Sequence, residues 1–146
     1  MKIMKTDEQA LRISTCLARR GGQMTQAEIA EAERLPQPTV TKLLSLLRRG
    51  GVVRTVRGRH GGYELARPAD RISVADVMTS LGRPLLEGSD CSPRDPLDDV
   101  CPHAGDCGLR SVWQTLADRI ARVLDGTTLA DLCGATCAVE EKLLEL

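Results

Sequence analysis

Three cysteines lie in one short polar stretch of this 146-residue chain, SDCSPRDPLDDVCPHAGDCGLR at residues 89–110. Nine residues separate Cys91 from Cys101, and five separate Cys101 from Cys107. The stretch is rich in aspartate, proline and glycine, which predicts a loop. Clustered thiolates of this kind can hold an iron–sulfur cluster or a zinc ion, although these gaps are wider than the spacing usual for structural zinc.

Three thiolates leave one coordination position open, so we expect a fourth ligand from elsewhere in the chain or from a second subunit. Glu8, in the first turn of the first predicted helix, is the candidate, and the neighbouring Asp7 is the alternative. His103 lies among the cysteines and could also serve. Zinc binding and a metal-free thiol or disulfide switch stay open as other uses of the same cysteines.

The other cysteines are scattered. Cys16 lies beside apolar residues of a predicted helix and is expected to be a small buried hydrophobe. Cys133 and Cys137 could form a redox pair but are assigned no role. The chain shows neither a secretory segment at its start nor an apolar run of about 20 residues. We therefore expect a cytoplasmic protein with no membrane partner, in which clustered thiols bind metal or sense redox state.

Charge is unevenly distributed, although the formal net charge is zero. Residues 42–71 contain eight lysines or arginines and two acidic residues, whereas residues 72–108 contain seven acidic residues and two arginines. A basic block followed by an acidic, cysteine-bearing block predicts two functions on one chain. The basic block is the candidate contact for nucleic acid, and an ordinary solvated surface is the alternative interpretation.

Three helices are predicted in the first third of the chain. Thr6 opens a predicted capping box, TDEQ, and the first helix is expected to run to about Arg20. Thr25 is predicted to cap a short second helix. The third helix begins among the prolines of LPQPTVTKLLSLLRRGG and ends at its glycine pair. Its apolar positions recur at helical spacing, at Val40, Leu43, Leu44 and Leu47.

The pattern then changes from helical to alternating. VVRTVRG and YELARP are predicted strands of a hairpin, and RGRHGG is its basic turn. Ser73 is predicted to cap a short helix. A long helix is expected from about Leu109 to Leu124, where we expect Trp113 to pack against the preceding domain, with shielding of a cluster as the alternative role. The apolar stripe of this helix suits docking against a second copy, and consists of Leu109, Val112, Leu116, Ile120 and Val123.

Three short helices followed by a basic hairpin is the order of a winged helix-turn-helix, whose third helix enters the DNA major groove. That groove is about 12 Å wide and admits one helix. The predicted fold is mainly α with a small β-hairpin: a winged helix-turn-helix domain at residues 1–82, a cysteine-bearing segment at 83–108, and a long C-terminal dimerisation helix with a tail at 109–146. The predicted DNA-contacting residues are Gln37, Pro38, Thr39, Thr41, Lys42, Ser45, Arg49, Arg57, Arg59 and His60.

The ordered pieces TDEQALR, LPQPTVTKLLSLLRRGGVVRTVRGRHGGYELARP, ISVADV and the cysteines ending in CGLRSVW resemble the Rrf2 family of bacterial transcription regulators. The resemblance covers roughly residues 1–133. VRGRHGGYELARP and CGLRSVW are its most specific parts. The family includes the iron–sulfur sensors IscR, NsrR and RirA, and the regulators of SUF-type cluster assembly look closest.

The resemblance implies a homodimeric winged-helix protein whose loop cysteines hold a 2Fe-2S or 4Fe-4S cluster that tunes DNA affinity. The positions that match the cluster cysteines are Cys91, Cys101 and Cys107. Glu8 falls where some members supply a carboxylate from the other subunit. Residues 38–42 match the start of the recognition helix, and residues 57–62 match the wing. Compared with better-known members the first cysteine gap is longer, and no histidine follows Cys107 at the IscR position. The nuclearity stays open, with 2Fe-2S favoured.

We therefore expect an iron–sulfur-dependent transcription regulator that binds a double-stranded DNA operator as a homodimer and senses redox, iron or cluster status. Cluster-assembly genes are the candidate targets. The alternatives are a metal-free thiol-based or ligand-sensing winged-helix regulator, and an iron–sulfur electron or cluster carrier that would leave the basic hairpin unexplained. Catalysis is not expected, because no Cys–His–acid set is convincing.

Overall fold

The computed structural model describes residues 4–58, 61–82, 108–134 and 136–144, with the side chains of 136–139 excepted. The helices are α1 (Lys5–Arg20), α2 (Gln26–Glu33), α3 (Gln37–Arg49), α4 (Val74–Ser80), α5 (Gly108–Gly126), α6 (Leu129–Cys133) and α7 (Thr136–Leu144). Strands β1 (Val53–Val56) and β2 (Gly62–Leu65) form an antiparallel pair, and a 3-10 turn spans Ala69–Arg71. The predicted order of three helices and a hairpin is confirmed.

The start of α1 differs from the prediction that Thr6 caps it. The cap residue is Met4, whose backbone amide donates a 2.8 Å hydrogen bond to Asp7 Oδ2, and Thr6 lies inside the helix. An aspartate in the first turn satisfies a free amide and interacts favourably with the helix dipole, so it displaces the cap upstream. Asp7 is only 6% exposed. Its carboxylate is therefore buried and hydrogen-bonded to the start of α1, which argues against Asp7 as a cluster ligand.

An aliphatic core joins α1 to α3, as the spacing predicted. Ile13 and Leu17 of α1 are buried against the predicted stripe of α3. The members of this core that are fully buried and largest are Ile13, Leu17, Ile29, Leu43, Leu44, Leu47, Ile72 and Leu129. Each such side chain stabilises the fold by about 1.5–3 kcal/mol relative to an exposed one. The core thus fixes the direction in which the opposite face of α3 points.

A tight turn sets the angle between α2 and α3. Thr25 caps α2 with a capping box that includes Glu28, as predicted for Thr25. Arg34 adopts the left-handed conformation at φ 51°, and the Leu35 amide donates to the Ala30 carbonyl at 3.0 Å. The chain then enters α3 through Pro36. This helix–turn–helix packs the apolar face of α3 into the core and leaves its polar face exposed to solvent.

The hairpin is attached to the segment before α2 by an isolated bridge. The Met24 amide donates to the Tyr63 carbonyl at 2.9 Å, and the Tyr63 amide donates to the Met24 carbonyl at 2.8 Å. A Cβ atom on Gly62 would collide with the Met24 carbonyl, so only glycine permits this approach. The hairpin is therefore fixed to the helix-turn-helix through strand β2.

The chain returns to the core after the long helix. The Val74 amide donates to the Thr127 carbonyl at 2.8 Å, and the Leu129 amide donates to the Ile72 carbonyl at 2.9 Å. Helix α6 packs against α1, and Leu129 is fully buried. Residues beyond α5 thus complete the core that the first half of the chain begins.

Helix α5 exposes apolar side chains in its first half. It is slightly longer than the predicted span, and its exposed large apolar residues are Leu109, Val112, Trp113 and Leu116. Trp113 is 46% exposed, so it is not buried within one chain, where a packing anchor against the preceding domain was expected.

Candidate DNA interface and cysteine segment

Six of the predicted DNA-contacting residues share one exposed surface of α3, and Thr39 beside them is half-buried. The six exposed residues are Gln37, Pro38, Thr41, Lys42, Ser45 and Arg49. The first turn of the helix carries uncharged side chains, among them Gln37 and Thr39, and contains no acidic residue. The last turn carries the cations Arg48 and Arg49. A helix with this arrangement can approach base edges at its start and neutralise phosphates further along.

The hairpin adds cations to the same half of the molecule. Arg57 is exposed where β1 ends. Arg54 is paired with Glu64 across the two strands at 2.7 Å, which holds its guanidinium against the strand rather than toward the tip. Arg59 and His60, predicted at the tip, lie outside the described residues.

Two residues that the sequence reasoning missed connect the hairpin to α3. Gln26 Nε2 donates to the Tyr63 hydroxyl at 3.1 Å, and the Thr41 hydroxyl lies 3.3 Å from Gln26 Oε1. The same Thr41 hydroxyl donates to the Gln37 carbonyl at 2.9 Å. One signal was available in the sequence, because the chain's single tyrosine directly follows a glycine pair in a predicted strand. The pairing with Gln26 is long-range and had no sequence signal.

Glu8, the predicted cluster ligand on α1, is exposed and lies at the edge of an apolar groove of about 440 Å³. Helices α1, α4 and α5 form this groove. Besides Glu8, the residues that line it are Leu11, Val74, Met78, Arg119, Ile120, Val123 and Leu124. The carboxylate is thus placed next to the second half of α5.

Cys107 immediately precedes the opposite end of α5. Gly108 and Arg119 are separated by about eleven residues, which is roughly 16 Å along a helix. The three predicted cluster cysteines and His103 lie outside the described residues. In the described part of the chain, no group of three His, Cys, Asp or Glu side chains is arranged to hold a metal ion. A cluster site would therefore need the thiols of residues 83–107, and an exposed carboxylate such as that of Glu8 is a suitable additional donor for iron.

The two described cysteine side chains are free thiols that are half-buried. Cys16 Sγ lies 3.8 Å from Met24 Sδ, and burial followed by the Glu33 carboxylate raises the pKa of this thiol. Cys133 Sγ lies 3.9 Å from the Thr15 carbonyl oxygen. Cys16 is therefore protonated at neutral pH and packs as an apolar group, in line with its predicted role.

Two carboxylates near helix starts have specific partners that lower their pKa values. Hydrogen bonds from the backbone and hydroxyl of Thr25 lower the pKa of Glu28. The Lys142 ammonium, followed by the Thr128 backbone amide, lowers the pKa of Asp131 to about 2. Both carboxylates close capping boxes and neither lies on the exposed face of α3. Among the described residues, no helix is long and apolar enough to cross a membrane.

Comparison with known proteins gives consistent matches along nearly the whole chain. Residues 3–135 match the family profile Rrf2, described as an iron-dependent transcriptional regulator. A protein of Mycobacterium tuberculosis, named as an HTH-type transcriptional regulator, is 35% identical, and the match covers 100% of this chain and 88% of that one. CymR of Bacillus subtilis is 32% identical over 97% of this chain and 96% of its own.

Solved structures of such proteins share the fold. The structure of CymR from B. subtilis, described as the global cysteine regulator, superimposes with a TM-score of 0.73, covering 91% of this chain and 96% of that one. The structure of IscR from T. potens gives a TM-score of 0.69 at 29% identity, covering 90% of this chain and 85% of that one. The predicted winged-helix fold is therefore confirmed. The relatives are named as regulators, not as enzymes.

Proposed function

Because this chain belongs to the Rrf2 family of DNA-binding transcription regulators, we propose that it is a homodimeric member whose affinity for its operator depends on an iron–sulfur cluster. Cys91, Cys101 and Cys107 of one subunit and Glu8 of the other are the proposed ligands. The observation that carries the proposal is the position of Glu8. This residue is exposed beside an apolar groove at the C-terminal end of α5, whereas Cys107 immediately precedes the N-terminal end.

A second copy of the chain accounts for the exposed side of α5. Four large apolar side chains in its first half are between 44% and 55% exposed, which is typical of an interaction surface. The groove beside the second half of α5 is lined mainly by apolar side chains. If two α5 helices pack antiparallel about a twofold axis, the apolar first half of each covers the groove of the other.

The same packing explains why the carboxylate ligand comes from the partner. Within one chain, Glu8 lies against the second half of α5, about 16 Å of helix away from the end that Cys107 precedes. In an antiparallel pair, the first half of the partner's helix runs beside that second half. Glu8 of one subunit then faces the cysteine segment of the other, which supports ligation across the dimer interface.

The cluster, when bound, would supply a redox-sensitive link between the two subunits. Glu8 belongs to α1, which packs directly on α3, so a ligand bond at Glu8 constrains the helix that carries the proposed DNA contacts. Dimers of this kind read half-sites about one helical turn apart, so a small change in the spacing of the two α3 helices changes affinity. Allosteric coupling of this type amounts to about 1–3 kcal/mol. Of the two nuclearities, 2Fe-2S is proposed.

The proposed DNA contacts are the exposed side chains of α3 and the hairpin cations Arg57, Arg59 and His60. Small polar residues at the start of α3 allow close approach to bases, and Lys42 and Arg49 reach phosphates. The basic charge of residues 42–71 supports this assignment despite a net charge of zero for the whole chain.

A second candidate is a thiol-based regulator that holds no iron. The observation that favours it is the similarity to CymR, which extends over 97% of this chain and concerns a protein described as a cysteine regulator. In that case the cysteines of residues 83–107 act as thiols, and Glu8 has no ligand role.

Anaerobic purification followed by visible spectroscopy and assays of iron and sulfide separates the two candidates. We expect a coloured protein with iron equal to sulfide, and a spectrum whose shape distinguishes two irons from four. Cys101→Ala should lose the colour and the redox dependence of DNA binding, whereas the matched control Cys16→Ala should keep both. Glu8→Gln should lose cluster more rapidly in air than the control Glu31→Gln, which changes an exposed glutamate of α2. A colourless protein that also resists reconstitution would favour the thiol-based function.

A further inference from the structure

The hydroxyl group of Thr41 lies at the exposed start of α3, and its proton is already committed. The group donates to the Gln37 carbonyl at 2.9 Å, within its own helix. A hydroxyl has one proton and two lone pairs. With the proton directed at an acceptor of the protein itself, the group can only accept hydrogen bonds from a ligand that approaches from the solvent side.

Gln26 gives the Thr41 proton a second acceptor within the protein, and Tyr63 fixes the position of that acceptor. The Tyr63 ring packs against the core, and its backbone is bonded to Met24 on both its amide and its carbonyl. The phenol oxygen therefore has a fixed position, and it accepts from Gln26 Nε2 at 3.1 Å. This leaves Gln26 Oε1 facing Thr41, whose hydroxyl lies 3.3 Å from it and can donate to it. Whether the Thr41 proton goes to the Gln37 carbonyl or to Gln26 Oε1, it is bonded within the protein, and the oxygen lone pairs are left for a ligand.

We propose that Tyr63, acting through Gln26, is a positioning residue that presents Thr41 to DNA as a hydrogen-bond acceptor. In the major groove, adenine N6 and cytosine N4 carry amino donors, whereas guanine and thymine present acceptors at the corresponding positions. The base that Thr41 meets is therefore adenine or cytosine. This inference rests on the proposed docking of α3 in the major groove. It adds that Thr41 accepts rather than donates in its contact with a base, and that Gln26 and Tyr63 determine this.

Selection from a random double-stranded DNA library with the purified full-length dimer tests the inference. The wild-type protein should enrich a symmetric site with adenine or cytosine preferred at one position of each half-site. Tyr63→Phe removes only the phenol oxygen. It should reduce that preference by about 2- to 10-fold, which is the change in affinity that corresponds to the net free energy of one hydrogen bond. The other positions of the site and the salt dependence of binding should not change.

Two substitutions at Thr41 complete the test. Thr41→Val removes the hydroxyl at similar volume and should relax the same position, whereas Thr41→Ser keeps the hydroxyl and should retain the preference. Because Thr41 is exposed, these variants decide the matter even where Tyr63→Phe lowers the melting temperature. Equal loss of affinity for all sequences with Thr41→Val would identify a phosphate contact and overturn the inference.

The failure of this inference is distinguishable from the failure of the proposed DNA contacts. If the wild-type protein enriches a site that no variant alters, the acceptor role of Thr41 is wrong while the docking of α3 stands. If Lys42→Ala and Arg49→Ala also leave binding of that enriched site unchanged, the docking of α3 is itself refuted.

Discussion

Truncation of Leu129 to alanine is expected to destabilise the DNA-binding part of the protein, although the residue lies beyond the long helix. Leu129 is 0% exposed, and it belongs to the same core as α1 and α3. The change removes three carbon atoms, each worth about 0.8 kcal/mol of transfer free energy. The cavity that remains adds to this loss, so we expect the free energy of unfolding to fall by about 3–4 kcal/mol.

Urea denaturation followed by circular dichroism measures this loss, with wild type and variant at the same protein concentration because the stability of the proposed dimer depends on it. Leu144→Ala is the matched control, since that leucine is 89% exposed and its truncation should change the free energy by less than about 0.5 kcal/mol. A loss below about 1 kcal/mol for Leu129→Ala would refute the reasoning that α6 completes the core.

Four further outcomes are expected. Gly62→Ala should displace the hairpin from Met24 and weaken DNA binding in a gel-shift titration, whereas Gly22→Ala, where a Cβ meets no atom within 4 Å, should bind normally. Lys42→Ala should lower affinity for all sequences evenly and reduce the slope of log affinity against log salt by about one. Leu116→Glu should convert the proposed dimer to a monomer in sedimentation velocity. Asp131→Asn should remove a contribution to stability that is present above pH 3.8 and lost as the pH falls toward about 2, since the pKa of this group is lowered in the folded state.

The elements that depend on nearby residues were predictable from the sequence. The apolar spacing of α3, the capping of α2 by Thr25 and the strands on either side of the glycine-rich turn all reflect local preferences that tertiary packing reinforces. The start of α1 was misplaced by two residues, because Asp7 and Thr6 both suit a helix start and the burial of Asp7 decides between them.

Features that join distant parts of the chain could not be predicted. The bridge of Met24 to Tyr63 and the return of Leu129 to the core link residues far apart in sequence, and neither leaves a periodic pattern. Trp113 was expected to pack within the chain because a large aromatic residue is normally buried. Its exposure could not be predicted, since a second chain can also cover such a residue. For the candidate site, residue type and spacing selected the cysteines, while the geometry around Glu8 and Gln26 required the fold.

The position of Leu129 also has a consequence for the synthesis of the protein. Synthesis of α4 ends at Ser80, about 50 residues before Leu129 is added, which corresponds to roughly 3–10 s of translation. During that interval the nascent chain lacks a central member of its core. We expect the winged helix to mature only after the cysteine segment and α5 have been made, so that prematurely terminated chains yield no DNA-binding fragment that could occupy operators without the cysteine segment. Limited proteolysis of chains ending at residue 82 and residue 134 would show this difference directly.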